Sequence, residues 1–211
     1  MAVAASSPRP VTTEEQATVT QLLAQARAAM QAAASYDQAQ VDRLCQAVGW
    51  AGYNEPTATR LANMSVDESG LGAREPRRRH KIAGILRDAL RQKSMGVIEE
   101  LPEKGIVKYA KPAGVIAALV PVTSAYVTPV GIAIYALKCK DAVIFSPHPA
   151  SRKTTNEAVR VMRAALKRLG APEDLLQCVE RPSIPLANTL MASCDLTIAT
   201  GGPAMVRSAY A

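Results

Sequence analysis

Apolar residues recur at helical spacing through the first part of the chain and then give way to short unbroken runs. Leu22, Leu23, Ala26, Met30 and Ala33 mark one face of a helix introduced by Thr12 and Thr13, with Glu14 and Glu15 in its first turn. A second helix is expected after Asp37, carrying Val41, Leu44, Cys45 and Val48. Residues 55–64 and 76–93 give two more, the last burying Ile82, Ile85, Leu86, Ala89 and Leu90. Between them DESGLG, residues 67–72, breaks the pattern with two glycines and is predicted as a loop. Residues 97–109 read as a hairpin or a pair of short strands around Pro102 and Gly105.

Beyond Lys111 strands and helices alternate. GVIAALVPV (114–122), AVIFS (142–146), LLQCV (175–179) and LTIAT (196–200) are the runs expected of strands covered on both faces. The clearest intervening helix is 151–169. It has Ala158, Met162, Ala165, Leu166 and Leu169 inside, arginines and lysines outside, and Gly170 and Pro172 to close it. Such an order predicts right-handed βαβ units in a parallel sheet, hence an α/β fold.

Composition narrows the class. The 211 residues, 48% hydrophobic, suit one large domain or two small ones, and no run reaches the ~18 apolar residues of a membrane span. The start, MAVAASSPRPVTTEE, lacks the basic and apolar regions of a secretory leader, so a cytoplasmic protein is expected. Cys45, Cys139, Cys178 and Cys194 are far apart, with no ligand spacing to a histidine, and read as reduced thiols without a metal. A net charge of +7 favours anionic ligands: nucleotide cofactors, coenzyme A or nucleic acid.

Ligands of parallel sheets bind beyond the carboxyl ends of the strands, and three of those ends are chemically unusual. PVTS follows the first, SPHP the second and TGGP the fourth. In TGGP, Gly201 and Gly202 remove side chains at the turn and Pro203 suits the first helical position, so the free amides could face a phosphate, or the segment is a plain tight turn. In SPHP, His148 could meet an adenosine and Ser146 a ribose, or the tetrapeptide is a rigid turn. Lys153 lies near a helix start, where the macrodipole disfavours a cation, so it has either an anionic neighbour or a solvated side chain. Thr123 and Ser124 could simply cap the next helix.

Taken in order, KPAGVIAALVPVTS, IFSPHPASRKTT, GAPEDLLQCVERPS and LTIATGGPAMVRSAY resemble the nucleotide-binding half of the CoA-acylating aldehyde dehydrogenases, in particular the sulfoacetaldehyde, succinate-semialdehyde and bifunctional acetaldehyde/alcohol branch. ESGLG resembles that family's acidic-x-G-x-G loop more loosely. The resemblance implies a Rossmann-like parallel sheet with an N-terminal helical layer, incomplete as an aldehyde dehydrogenase cofactor domain. Residues 1–110 would supply its helices and hairpin, and 111–211 the nucleotide-binding core. It implies oxidation of a small aldehyde through a cysteine thiohemiacetal, with hydride passing to NAD or NADP and the acyl group to coenzyme A, in a homo-oligomer. It also implies that Val122, Thr123 and Ser124 lie on the nicotinamide side, Ser146, Pro147 and His148 at the adenosine, and Gly201, Gly202 and Pro203 at the pyrophosphate. No catalytic residue is assigned to this chain, because none of its cysteines has the family's nucleophile context. The resemblance places the catalytic cysteine in a later domain that is expected to lie outside this chain, and MVRSAYA stops inside a helical pattern, so an inactive fragment is expected. Many relatives read P-x-T-N where this chain reads Pro121-Val122-Thr123-Ser124, replacing an oxyanion-hole amide by a hydroxyl. Residues after the second strand do not separate NAD from NADP.

Two other classes remain open on sequence. One is a stand-alone nucleotide-binding or regulatory module whose exposed sheet edge is covered by self-association. The other is a nucleic-acid binder using REPRRRHK, from Arg74 to Lys81. An aromatic content of 4% argues against this second class, and a solvated or subunit-facing helix start is expected there instead.

Overall fold

A computed structural model of the chain describes residues 9–210. Part of the segment read above as lacking a secretory leader, residues 1–8, lies outside the described residues. Helices α1 (Thr13–Ala32), α2 (Gln38–Tyr53), α3 (Glu55–Ser69) and α4 (Arg79–Leu90) lead into the antiparallel hairpin β1 (Val97–Leu101) and β2 (Ile106–Tyr109). Then come β3 (Val115–Val120), α5 (Val127–Lys138), β4 (Ala142–Pro147), α6 (Arg152–Arg168), β5 (Leu176–Cys178), α7 (Ile184–Ser193), β6 (Leu196–Ala199) and α8 (Pro203–Tyr210).

The four later strands pair in parallel in the order β5-β4-β3-β6. Every residue of β3 and β4 is buried, as their unbroken apolar sequences require of central strands. Helices α5 and α6 pack together on one face, and α2 and α4 pack on α5 as an outer layer, with α3 on α6. Gly49 and Gly52 make that layer tight, since a Cβ on Gly52 would lie 2.6 Å from Val130 Cγ2. Helix α1 carries the N-terminal helical layer around the sheet. It covers the other sheet face beside α7, held by Gln177 donating to Leu22 O at 2.8 Å and by Arg27 against Asp195. One hydrophobic core therefore runs from Val19 through Phe145 to Leu190, and each large side chain fully buried in it contributes roughly 1.5–3 kcal/mol.

Several boundaries differ from the sequence reading. DESGLG is not all loop: α3 continues to Ser69 and stops only at Gly70, whose φ of 70° closes the helix in the left-handed conformation. Residues 76–78 form a separate 3-10 turn, and α4 begins at Arg79 without a side-chain cap. Strand β3 stops at Val120, since Pro121 has no N–H to continue the ladder, and residues 122–124 form a 3-10 turn. Among the described residues no helix is long and apolar enough to cross a membrane.

The amino end of the sheet is fixed by carboxylates. Asp195 accepts from Val115 N at 2.7 Å and Asp141 from Gly114 N at 2.9 Å. Gly114 has φ +123°, and a Cβ there would meet Asp195 Oδ2 at 2.3 Å, so only glycine fits.

Candidate functional site

The register of the sheet sets the carboxyl ends of three strands side by side. Leu119 pairs with Ser146 on one side and with Ala199 on the other, and His148 N donates to Val120 O at 3.0 Å. Strand order reverses here: β4 and β5 lie on one side of β3, and β6 is laid on the opposite side. Chains leaving β3 and β6 at such a switch point diverge and leave a crevice between them.

That crevice is a cavity of about 690 Å³, within the size range of cofactor sites. Val122, Thr123 and Ser124 form one wall and Ser146, Pro147 and His148 a second. Thr200, Gly201 and Gly202, with Met205 behind them, form a third. Of the nine residues singled out from the three motifs, only Pro203 does not line it. It takes the first position of α8, as its fixed φ favours, with Val206 N bonded back to Gly202 O at 3.1 Å.

A fourth wall was not anticipated. Pro182, Ser183, Ile184 and Ala187 close the cavity from the start of α7. Ser183 caps that helix, accepting from Leu186 N at 3.2 Å, and donates its own proton to Glu15 of α1. Arg9 binds the same carboxylate at 2.6 Å, so α1 buttresses the wall.

Individual side chains have defined roles in this geometry. His148 Nδ1 accepts from Ala150 N at 3.1 Å, so the proton of a neutral ring resides on Nε2 and that nitrogen is a donor. Ser146 is buried at the penultimate position of β4. Gly202 meets no atom within 4 Å of an added Cβ and keeps an ordinary φ, so no protein contact demands glycine there. Gly201 would press only on the flexible end of Met205. Thr123 and Ser124 do not cap α5, which starts at Val127 without a side-chain cap.

The basic run from Arg74 folds onto the protein. Arg78 Nη1 donates to Thr123 O and, at 3.2 Å, to Ser124 Oγ. Because Ser124 accepts from a cation, its own proton is left to donate. Arg79 pairs with Glu55 at 3.3 Å and sits 5.4 Å over the Tyr53 ring, and Arg74 pairs with Asp67 at 2.7 Å. Arg74, Arg78 and Arg79 of this helix start are thus engaged by the protein, and Arg78 is a candidate site residue the sequence reading missed. A carboxylate does sit at the start of α6: Glu68 accepts from the backbone amides Lys153 N and Thr154 N, both at 2.8 Å.

The thiols are poor nucleophiles. Burial pushes Cys45 up to about 12 and Cys194 up to about 11, and raises Cys139 and Cys178 as well. Among the described residues no group of three His, Cys, Asp or Glu side chains could hold a metal.

No protein-family model matches the chain. It is similar to two sulfoacetaldehyde dehydrogenases, one from Acholeplasma sp (45% identical, 88% of this chain, 39% of the relative) and an acylating one from Bilophila wadsworthia (42%, 92% and 42%). Among solved structures, an acetylating aldehyde dehydrogenase from Geobacillus thermoglucosidasius superposes with a TM-score of 0.88 at 31% identity, over 93% of this chain and 44% of that one. An engineered glycolyl-CoA reductase with bound NADP+ gives 0.74 at 28%, over 99% and 46%. The chain spans about two fifths of the length of the curated relatives it matches.

Proposed function

We propose, for a chain that belongs to the CoA-acylating aldehyde dehydrogenase family and matches a partial, N-terminal portion of its members, that it is the cofactor-binding half of an enzyme oxidising a small aldehyde to its acyl-CoA. The observation that carries this reading is the meeting of three motif-bearing strand ends in one cavity at the reversal of strand order. Gly202 supports it further, because the empty space at its Cβ is explained by a ligand that must approach the backbone closely.

NAD or NADP would supply the hydride acceptor and coenzyme A the acyl acceptor. Gly201, Gly202 and the amides at the start of α8 would face the pyrophosphate. Ser146 would bond a ribose hydroxyl, and His148 would donate from Nε2 or stack at the adenosine. Val122, Thr123 and Ser124 would border the nicotinamide, with the Ser124 hydroxyl, its oxygen held by Arg78, as donor to the developing oxyanion. The four suppressed thiols leave the nucleophile to be supplied from outside these residues. On this reading the enzyme works in the cytoplasm as a homo-oligomer.

Calorimetric titration with NAD+, NADP+ and coenzyme A tests it. We expect at least one nucleotide to bind, and binding to weaken at least about tenfold in His148→Ala. Absence of binding by all three ligands would overturn the reading. The intact mass and native size of the natural gene product decide whether a catalytic portion and further subunits accompany this one.

A further inference from the structure

Beside the main cavity lies a second one, of about 340 Å³, and the two share Thr123 and Ser124 as a common wall. Its far side comes from the end of α3 and the turn after it, through Ala62, Val66 and Leu71, and its floor from Tyr126 and Val127. These are mostly apolar surfaces. Among the described residues two charged ones line it: Arg78, and Glu75, which is itself engaged.

Arg78 is held in an unusual way for an exposed arginine. One guanidinium nitrogen, Nη1, is tied to the Thr123 carbonyl and the Ser124 hydroxyl. The other donors, on Nη2 and Nε, have no hydrogen-bond or ion-pair partner among the described residues. Since the guanidinium is a planar fork, fixing one arm orients the rest. Its charge also reaches Tyr126, whose hydroxyl pKa burial raises and Arg78 lowers. The result is a positioned cation with free donors at a small, largely apolar cavity, one side chain away from Ser124.

We propose that this second cavity receives the anionic end, a carboxylate or a sulfonate, of an aldehyde whose carbonyl lies at Ser124, and that Arg78 recognises it. The inference rests on the function proposed above for the position of the carbonyl, though not for the anion site itself. The shared wall places the two ends of such a substrate a few bonds apart, so the preferred aldehydes are short. Free Arg78 donors suit either oxyanion, carboxylate by a parallel pair of bonds and sulfonate by a similar pair from its three oxygens. A short neutral aldehyde would leave the guanidinium without a partner and the cavity without a polar occupant.

The test has a binding arm and a kinetic arm, both on the protein as its gene encodes it. In the first, succinate and isethionate, which do not react, are titrated by calorimetry against wild type, Arg78→Met, Arg78→Lys and Glu75→Gln, with 1,4-butanediol as neutral control. We expect at least one anion to bind and butanediol not to. Arg78→Met should weaken the anion at least about tenfold, Arg78→Lys less, and Glu75→Gln should strengthen it. Which anion binds more tightly separates a carboxylate site from a sulfonate site. Failure of both anions to bind, or equal affinity in Arg78→Met, would overturn the inference. In the second arm the ratio of kcat/KM for succinic semialdehyde or sulfoacetaldehyde over that for propanal should fall at least about tenfold in Arg78→Met, and an unchanged ratio overturns the proposal. If anion binding depends on Arg78 but no aldehyde is oxidised, the anion site stands and the dehydrogenase reading falls.

Discussion

Glu68 accepts hydrogen bonds from both the backbone N–H and the hydroxyl of Thr154, at 2.8 and 2.9 Å, and thereby sets a carboxylate from α3 at the start of α6. The position that a phosphate could have used at this helix is already filled from within the protein. Among the described residues, only the turn before α8 presents glycines to the cavity.

Removing that carboxylate tests its structural weight. Glu68→Ala should lower the free energy of unfolding by about 1–2 kcal/mol, in the range of a lost helix cap, and Glu68→Gln by less. Urea denaturation followed by circular dichroism reads this directly. A Glu68→Ala variant as stable as wild type would show the contact to be dispensable.

Gly202 should separate folding from binding. Gly202→Asn keeps a good residue at the helix cap and meets no protein atom, so stability should stay within about 0.5 kcal/mol of wild type. Nucleotide affinity should nevertheless fall at least about tenfold. Thermal melts with and without NAD(P) measure both effects, and retained ligand stabilisation would remove Gly202 from the site.

Gly114 behaves in the opposite sense. Gly114→Ala would add a Cβ 2.3 Å from the Asp195 carboxylate at φ +123°, and the expected loss is at least about 2 kcal/mol of stability. Nucleotide affinity of the folded fraction should be unaltered, because the cavity is at the far end of the strands. Denaturant midpoints in parallel with ligand titration test this pair of outcomes.

Acid should weaken the fold in a definite window. The carboxyls of Glu15 (by Arg9, Ser183 and Thr12), Asp195 (by Arg27 and Val115 N) and Glu157 (by Arg160 and Arg60) are held below the usual range. Their contribution is complete above the unfolded-state values near pH 4 and is lost as pH falls through the depressed folded values. Asp141, raised mainly by burial, acts oppositely: its contribution is present at low pH and lost as pH rises through its folded value. Three groups outweigh one, so urea midpoints should fall on acidification below about pH 4.5. The fall should be smaller in Asp195→Asn, and an identical slope would remove Asp195 from the account.

Alkylation should show how quiet the thiols are. With Cys45 near 12 and Cys194 near 11, iodoacetamide at pH 7.5 should label the native protein far more slowly than the protein in urea. Peptide mass mapping would locate any exception, and fast labelling of one cysteine in the native state would contradict its burial.

Legibility in the sequence followed the range of the interaction. The central strands announced themselves because residues buried on both faces leave unbroken apolar runs, and β3 and β4 lie within a residue or two of those runs. The α/β fold and the convergence of PVTS, SPHP and TGGP were readable for the same reason, since parallel topology sends strand ends to one side. Glu68 and Arg78 were not. Each acts on a partner far along the chain, and a carboxylate or guanidinium looks alike in sequence whether it faces water or another element. The proline-serine wall at residues 182–184 was missed too, as nothing local marks a turn that later lies over a cavity. Placing α1 on the opposite sheet face from α5 required the tertiary contacts themselves.

The order of the strands also has a kinetic consequence. Val115 and Asp195 meet across 80 positions of sequence, whereas β3, β4 and β5 are joined in succession by single helices. Loop closure for β6 is the most expensive in the sheet and is expected late in folding. The TGGP wall arrives with that strand, so the crevice is completed only as the chain finishes its topology. A nucleotide binding there would act on the last step to form and the first to open, holding β6 in place and slowing unfolding from that edge.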